Sequence, residues 1–271
     1  MTNLSEIFLE AVKKQVSGSG NRIAVFFSGG IDSTSVAIAL KRLGYTPVCY
    51  TGFINDNDFD VRWAKINCGI FGFEFNAIRI PTSNIVNDFY ILKDKYACRK
   101  KTQFETVFAF RYLYPAVKEQ YIATGLCADG HYGSSRNATI TCRHDIKAFQ
   151  KFREESYTDK DFCGLSWHYR LASESGHKIV VPYIDKDVVS YFMPLAWDDV
   201  NLPYRKHHIV EAFEEFKSIE VRYPHNMQCA MPIRELFSTL LTDSSINFNN
   251  RTDMRFVYKD WEDNKKRPRL L

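Results

Sequence analysis

Residues 23–34 read Ile-Ala-Val-Phe-Phe-Ser-Gly-Gly-Ile-Asp-Ser-Thr. A half-solvated strand alternates apolar and polar residues, so the unbroken run from Ile23 to Phe27 predicts a central parallel strand covered on both faces. Gly29 and Gly30 carry no Cβ, which lets the chain turn sharply and lets backbone approach a ligand. Ser33 and Thr34 suit a helix start. Val36, Ala37, Ala39 and Leu40 then give that helix an apolar face, and Gly44 is placed to end it. The free N–H groups of the first turn, with the helix dipole, favour an anion above the strand. Asp32 is the odd element. A carboxylate beside a polyanion needs a cation between them, which predicts a Mg²⁺ bridge.

Two common phosphate loops are excluded. A Walker A loop needs four residues between its glycines and then Gly-Lys-Ser/Thr, and no Lys follows here. Nor is the spacing that of a Gly-x-Gly-x-x-Gly dinucleotide loop.

The first half of the chain alternates strand and helix. Helices are expected over 5–16, 58–71 (with Val61, Ala64, Ile66 and Ile70 inward) and 83–95, strands over 47–52, 75–80 and 121–124. Thr102 and Glu105 fit a capping box opening a long helix to about Glu119. That alternation predicts an α/β fold, a parallel sheet with helices on both faces, and ligands beyond the carboxyl ends of the strands. After about residue 140 the pattern is helical, near 145–156, 186–195, 206–217 and 232–242, with few strands. We expect one domain over 1–271, a core at 1–140 and a dependent helical lobe at 141–271.

Bulk properties exclude several classes. A net charge of +4 is compatible with an anionic substrate but too weak to argue nucleic acid. The basic run 264–269 reads as a solvated terminus. Seven scattered cysteines with no Cys-x-x-Cys spacing predict reduced, cytoplasmic thiols. Cys142 and His144 alone make no metal site. No signal-peptide pattern opens the chain, and no apolar run approaches the roughly 18 residues of a membrane helix.

Ser28-Gly29-Gly30-Ile31-Asp32-Ser33 resembles the PP-loop of the ATP pyrophosphatases. That resemblance implies an adenine nucleotide alpha hydrolase-like fold, ATP and Mg²⁺, and cleavage of ATP between its α and β phosphates through an adenylate. Three later blocks resemble the synthetase domain of asparagine synthetases: Gly125 to Gly133 with Asp129, Arg170 followed twelve residues later by Pro182-Tyr-Ile-Asp185, and Leu202-Pro203 followed by Lys206-His207-His208. The likeness spans roughly residues 20–240. By it, Asp32 and Asp129 hold the metal. Phe26, Ser28, Gly29, Gly30, Asp32, Ser33, Thr34, Tyr50 and Gly125 surround the nucleotide. Arg170 and either Lys206 or His207 supply cations at the phosphates.

The chain also departs from that pattern. Leu126 stands where the family has a Glu used in amide formation, and Leu takes no proton, so His131 or His207 is considered in its place. Lys178 and Val180 replace a Glu and an Arg. Position two is Thr rather than a glutaminase Cys, so no glutaminase domain is expected. The implied partners are a small-molecule carboxylate and an amine or ammonia, the latter free or from a separate glutaminase subunit, with neither nucleic acid nor membrane. The cysteine pairs of thiolating relatives are not visible in the sequence. Two other readings stay open: modification of a nucleobase or tRNA, and a non-catalytic ATP-binding protein.

Overall fold

A computed structural model describes residues 3–56, 58–99, 101–220, 232–242 and 245. A five-stranded parallel sheet of order β3-β2-β1-β4-β5 organises it, formed by β1 (Arg22–Phe26), β2 (Thr46–Phe53), β3 (Glu74–Arg79), β4 (Tyr121–Thr124) and β5 (Lys178–Val180). β1 is central and pairs in register with β2 and β4, Phe26 facing both Tyr50 and Thr124. The apolar run around it serves two cores at once. Ile23, Val25 and Phe27 point to one face, Ala24 and Phe26 to the other. Each such fully buried large side chain contributes about 1.5–3 kcal/mol, so both faces need a cover.

On the first face lie α1 (Leu4–Val16), α2 (Ile31–Arg42) and part of α3 (Phe59–Phe71). The same core gathers α6 (Ala128–Tyr132), α7 (Arg136–Cys142), α8 (Ile146–Thr158), α10 (Lys186–Phe192), α11 (Trp197–Asn201) and α12 (His207–Ala212). On the second face lie α4 (Ile85–Asp94), α5 (Lys101–Ala116), α9 (Leu165–Glu174) and α13 (Ile233–Thr242). The fold is α/β with helices on both faces and a largely helical second half. No helix among the described residues is long and apolar enough to cross a membrane.

Several expectations need adjustment. The second half adds β5 to the sheet, parallel to β4, with Ile179 and Val180 beside Ile122 and Ala123. α3 is rotated: Ile66 and Ile70 are exposed, while Ala64, Asn67 and Cys68 face in. The reason is polar, since Asn67 reaches the loop after β1. The helix expected over 206–217 stops at Ala212, where Phe213 is extended, and a 3₁₀ turn follows over Glu214–Ser218. α9 was not anticipated. The long helix runs Lys101–Ala116, and the Thr102 side chain, like the run 264–269, lies outside the described residues.

Candidate active site

The turn after β1 is held by its own hydroxyls. The Ser28 N–H donates to Ser33 Oγ at 3.2 Å, the Gly30 N–H to Ser28 Oγ at 3.3 Å, and Ser33 Oγ donates to the Gly30 carbonyl at 3.2 Å. Gly29 has φ +72°, and a Cβ there would meet Trp63 Cδ1 at 3.0 Å and the Ala64 nitrogen at 3.1 Å. Glycine thus lets α3 seat directly beneath the loop, where Asn67 Nδ2 donates to the Gly29 carbonyl at 3.0 Å. The first intrahelical bond of α2 runs from the Thr34 N–H to the Gly30 carbonyl at 3.0 Å. The amides of Ile31, Asp32 and Ser33 precede that ladder, at the dipole's positive end.

This turn opens on a cleft of about 300 Å³. Of the residues expected around a nucleotide and metal, Phe26, Ser28, Asp32, Ser33, Tyr50, Gly125 and Asp129 line it. Gly29 and Gly30 shape the turn behind them, and Thr34 is buried in α2. One end of the cleft is apolar. Phe26 packs edge-on to Tyr114 at 4.9 Å and lies 5.2 Å from Phe110. Tyr50 donates its hydroxyl to Glu119 Oε2 at 2.9 Å, and burial together with that carboxylate pushes its pKa up to about 12. At Gly125 a Cβ would sit 2.7 Å from the Asp32 backbone carbon, so only glycine lets the end of β4 pass against α2.

Asp32 and Asp129 converge, as their places at the carboxyl ends of β1 and β4 predict. Between them stands Lys206. Its Nζ is 2.6 Å from Asp32 Oδ2 and 2.8 Å from Asp129 Oδ1, and the side chain is 1% exposed. Tyr132 presents its ring 5.5 Å from the same ammonium. Burial lifts the Asp32 carboxyl to about 6, with Lys206 pulling it down and Asp129 pushing it up. Burial also raises Asp129, but Lys206 outweighs it and holds that carboxyl below its ordinary value. Burial lowers Lys206, and the two carboxylates more than reverse this, keeping the ammonium charged. Lys206 itself has φ +63°.

The pair fits a hard divalent cation on one observation. Asp32 Oδ1 is buried with no hydrogen-bond partner, beside an Asp129 side chain that is half exposed. Mg²⁺ takes one or two carboxylates and completes its shell with water and phosphate oxygens. That matches a site where no third His, Cys, Asp or Glu gathers among the described residues.

Other expected residues stand elsewhere. Arg170 does not line the cleft. Its Nε donates to Glu174 at 3.0 Å, its Nη1 to the Lys95 carbonyl at 2.7 Å, and its guanidinium covers the Tyr96 ring. The His207 ring packs on His208 at 4.6 Å with Nδ1 3.3 Å from the Tyr204 carbonyl, also off the cleft lining. His131 is buried, sandwiched by Tyr157 and Phe192, and donates from Nε2 to the Tyr183 carbonyl at 2.8 Å. Burial lowers its pKa to about 3. Neither histidine faces the cleft as a base, and Leu126 lines it with no acid–base capacity.

The structure also adds residues that sequence spacing did not reveal. Thr106, Phe110 and Leu113 reach the cleft from α5. Cys127 and Cys163, 36 positions apart, both line it, and Cys127 Sγ lies 3.8 Å from the carbonyl of Phe162, the residue before Cys163. The period of α5 marks its apolar face, but no local signal foretells that two distant cysteines meet.

Comparison with known proteins agrees with the loop. Residues 3–94, from α1 through α4, match the model of the asparagine synthase family, and the turn at Ser28–Ser33 lies within that span. No curated protein matches the chain. Among solved structures, a predicted subunit of tRNA methyltransferase from Methanocaldococcus jannaschii is 18% identical, covering 64% of this chain and 73% of its own, with a TM-score of 0.35. The U34-tRNA thiolase NcsA from Methanococcus maripaludis, solved with its 4Fe–4S cluster, is 13% identical over 98% of this chain and 81% of its own, with a TM-score of 0.37. Likeness of that degree says nothing about substrate.

Proposed function

We propose that this protein is an ATP-dependent C–N ligase that adenylates a small-molecule carboxylate, releases pyrophosphate, and passes the acyl group to ammonia or an amine. The observation that supports this most is the meeting, in one cleft, of the α2 N-terminal turn with Asp32 and Asp129, the two carboxylates that Lys206 bridges. In this reading the apolar end beside Phe26 and Tyr50 takes the adenine. The leading amides of α2 take the phosphates.

A substrate carboxylate oxygen attacks the α-phosphorus, and the bond to the bridging oxygen breaks as pyrophosphate leaves. Negative charge builds on the phosphoryl oxygens, and fixed cations there stabilise it. Lys206 is the cation held in place for this. Arg170, engaged with Glu174 and Lys95, is assigned no part. Mg²⁺ held by Asp32 and Asp129 would neutralise phosphate charge. In the second step the amine attacks the acyl carbon and AMP departs. Leu126 accepts no proton, so the nitrogen must arrive as the free base and release a proton to solvent as the amide forms. Ammonia would come free or from a separate glutaminase subunit.

ATP–pyrophosphate exchange with Mg²⁺, across carboxylates headed by aspartate, tests the reading. Exchange that depends on one carboxylate is expected. ATP binding without exchange for any carboxylate would overturn it.

A further inference from the structure

Two thiols meet in the cleft wall without a part in the chemistry above. Cys127 sits in the turn between β4 and α6, and Cys163 in the 3₁₀ turn Phe162–Gly164. Among the described residues four non-glycine positions have positive φ: Ala97, Cys127, Cys163 and Lys206. Two of them, Cys127 and Cys163, line the cleft, and Lys206 bridges two carboxylates of its wall; left-handed backbone in such residues costs energy that the surrounding structure must offset. The two turns are locked together. Tyr157 donates its hydroxyl to the Cys127 carbonyl at 2.9 Å, and Cys127 Sγ lies 3.8 Å from the Phe162 carbonyl. A Cβ on Gly130 would meet the Phe162 ring at 2.8 Å, so the turns touch without a gap.

Access differs between the two sulfurs. Cys127 is 2% exposed, whereas Cys163 is partly open and also lines an outer cavity of about 550 Å³ that shares Thr106 with the cleft. Cys49 and Cys68, by contrast, are both sealed in the core.

We propose that Cys127 and Cys163 are a modification site, a dithiol that small-molecule disulfides such as glutathione disulfide oxidise to an internal disulfide, closing the cleft. Cys163, reached through the outer cavity, attacks one sulfur of the oxidant, and one glutathione thiolate leaves. Cys127 then attacks the Cys163 sulfur of the mixed disulfide, and the second glutathione leaves. Two thiols lose two protons and two electrons, and one disulfide becomes two thiols. The disulfide, of about 2.05 Å, would pin the Phe162–Gly164 turn to the turn at Cys127, in the cleft wall that also carries Asp129. That this closure excludes ATP rests on the function proposed above, whereas the disulfide itself does not.

The intact protein is treated with glutathione disulfide, then peptide-mapped and titrated with Mg-ATP. A 127–163 link, loss of two hydrogens, and ATP binding weakened about tenfold or more (about 1.4 kcal/mol) are expected, all reversed by dithiothreitol. C163S should not react with the oxidant, and C127S should stop at a glutathione mixed disulfide on Cys163, neither forming the internal link. A map that shows no link, or one joining Cys49 and Cys68, overturns the proposal. A 127–163 link with unchanged ATP affinity overturns the closure. Should the reduced protein bind no ATP, the function reading fails, and the peptide map alone still decides the disulfide.

Discussion

Substituting Lys206 by Met tests the charge cluster directly. The methionine keeps most of the length of a side chain that is 1% exposed, but removes the ammonium 2.6 Å from Asp32 and 2.8 Å from Asp129. Two carboxylates then face each other without a cation. Breaking a buried pair by removing one partner costs about 3–5 kcal/mol. Asp32 is 23% exposed and Asp129 is 52% exposed, so water relieves part of the strain and the low end, about 3 kcal/mol, is expected. Spread over a chain of this size, that lowers Tm by about 6–12 °C. Urea unfolding at neutral pH measures the loss. D32N in the K206M background removes the repulsion and should restore about 1–2 kcal/mol, a coupling within the usual range for residues in contact. If K206M costs under about 1 kcal/mol, or if the two substitutions simply add, the cluster is not the electrostatic unit described. Mg²⁺ should raise the Tm of K206M more than that of the parent, because without the ammonium a divalent ion alone offsets the repulsion of the two carboxylates.

Three further outcomes are expected. G125A places a Cβ 2.7 Å from the Asp32 backbone, so it should cost about 1–3 kcal/mol and weaken ATP binding, read by unfolding and calorimetry. His168 is buried against Tyr114 and Phe110, and burial lowers its pKa to about 3. The unfolded chain binds a proton there below about pH 6.5 and the folded one does not, so stability falls with pH through this window. Urea unfolding from pH 6.5 to 5 should show about 2 kcal/mol of loss from this group, and H168Q, which keeps a partner for Tyr114, should remove that part of the slope. R170A should leave ATP affinity within about twofold and cost only about 0.5 kcal/mol for an exposed ion pair. A large loss of exchange activity in R170A would place Arg170 at the phosphates after all.

What was legible in the sequence was local. A buried strand, a glycine turn and a helix start are adjacent in the chain, so residues 23–34 alone determined the central strand, the turn after it and the place of Asp32. Strand–helix alternation determined the parallel sheet, and with it that Gly125 and Asp129, past the end of another strand, would share the cleft edge. Position within a helix was less legible. Apolar periodicity put Ile66 and Ile70 inward, but one polar contact, Asn67 to the Gly29 carbonyl, set the rotation of α3. Groups brought together across long sequence separations were not legible in the residues themselves, and only the family resemblance named Lys206, as an alternative to His207, beside Asp32 and Asp129. The ammonium of Lys206 lies 174 positions from Asp32 and 77 from Asp129, and Cys127 and Cys163 meet because their two turns pack on Gly130. Pattern in a chain reports which face a residue turns to its neighbours. Only packing in three dimensions decides which distant charges and thiols share that face, since burial, repulsion and hydrogen bonding act through space and not along the chain.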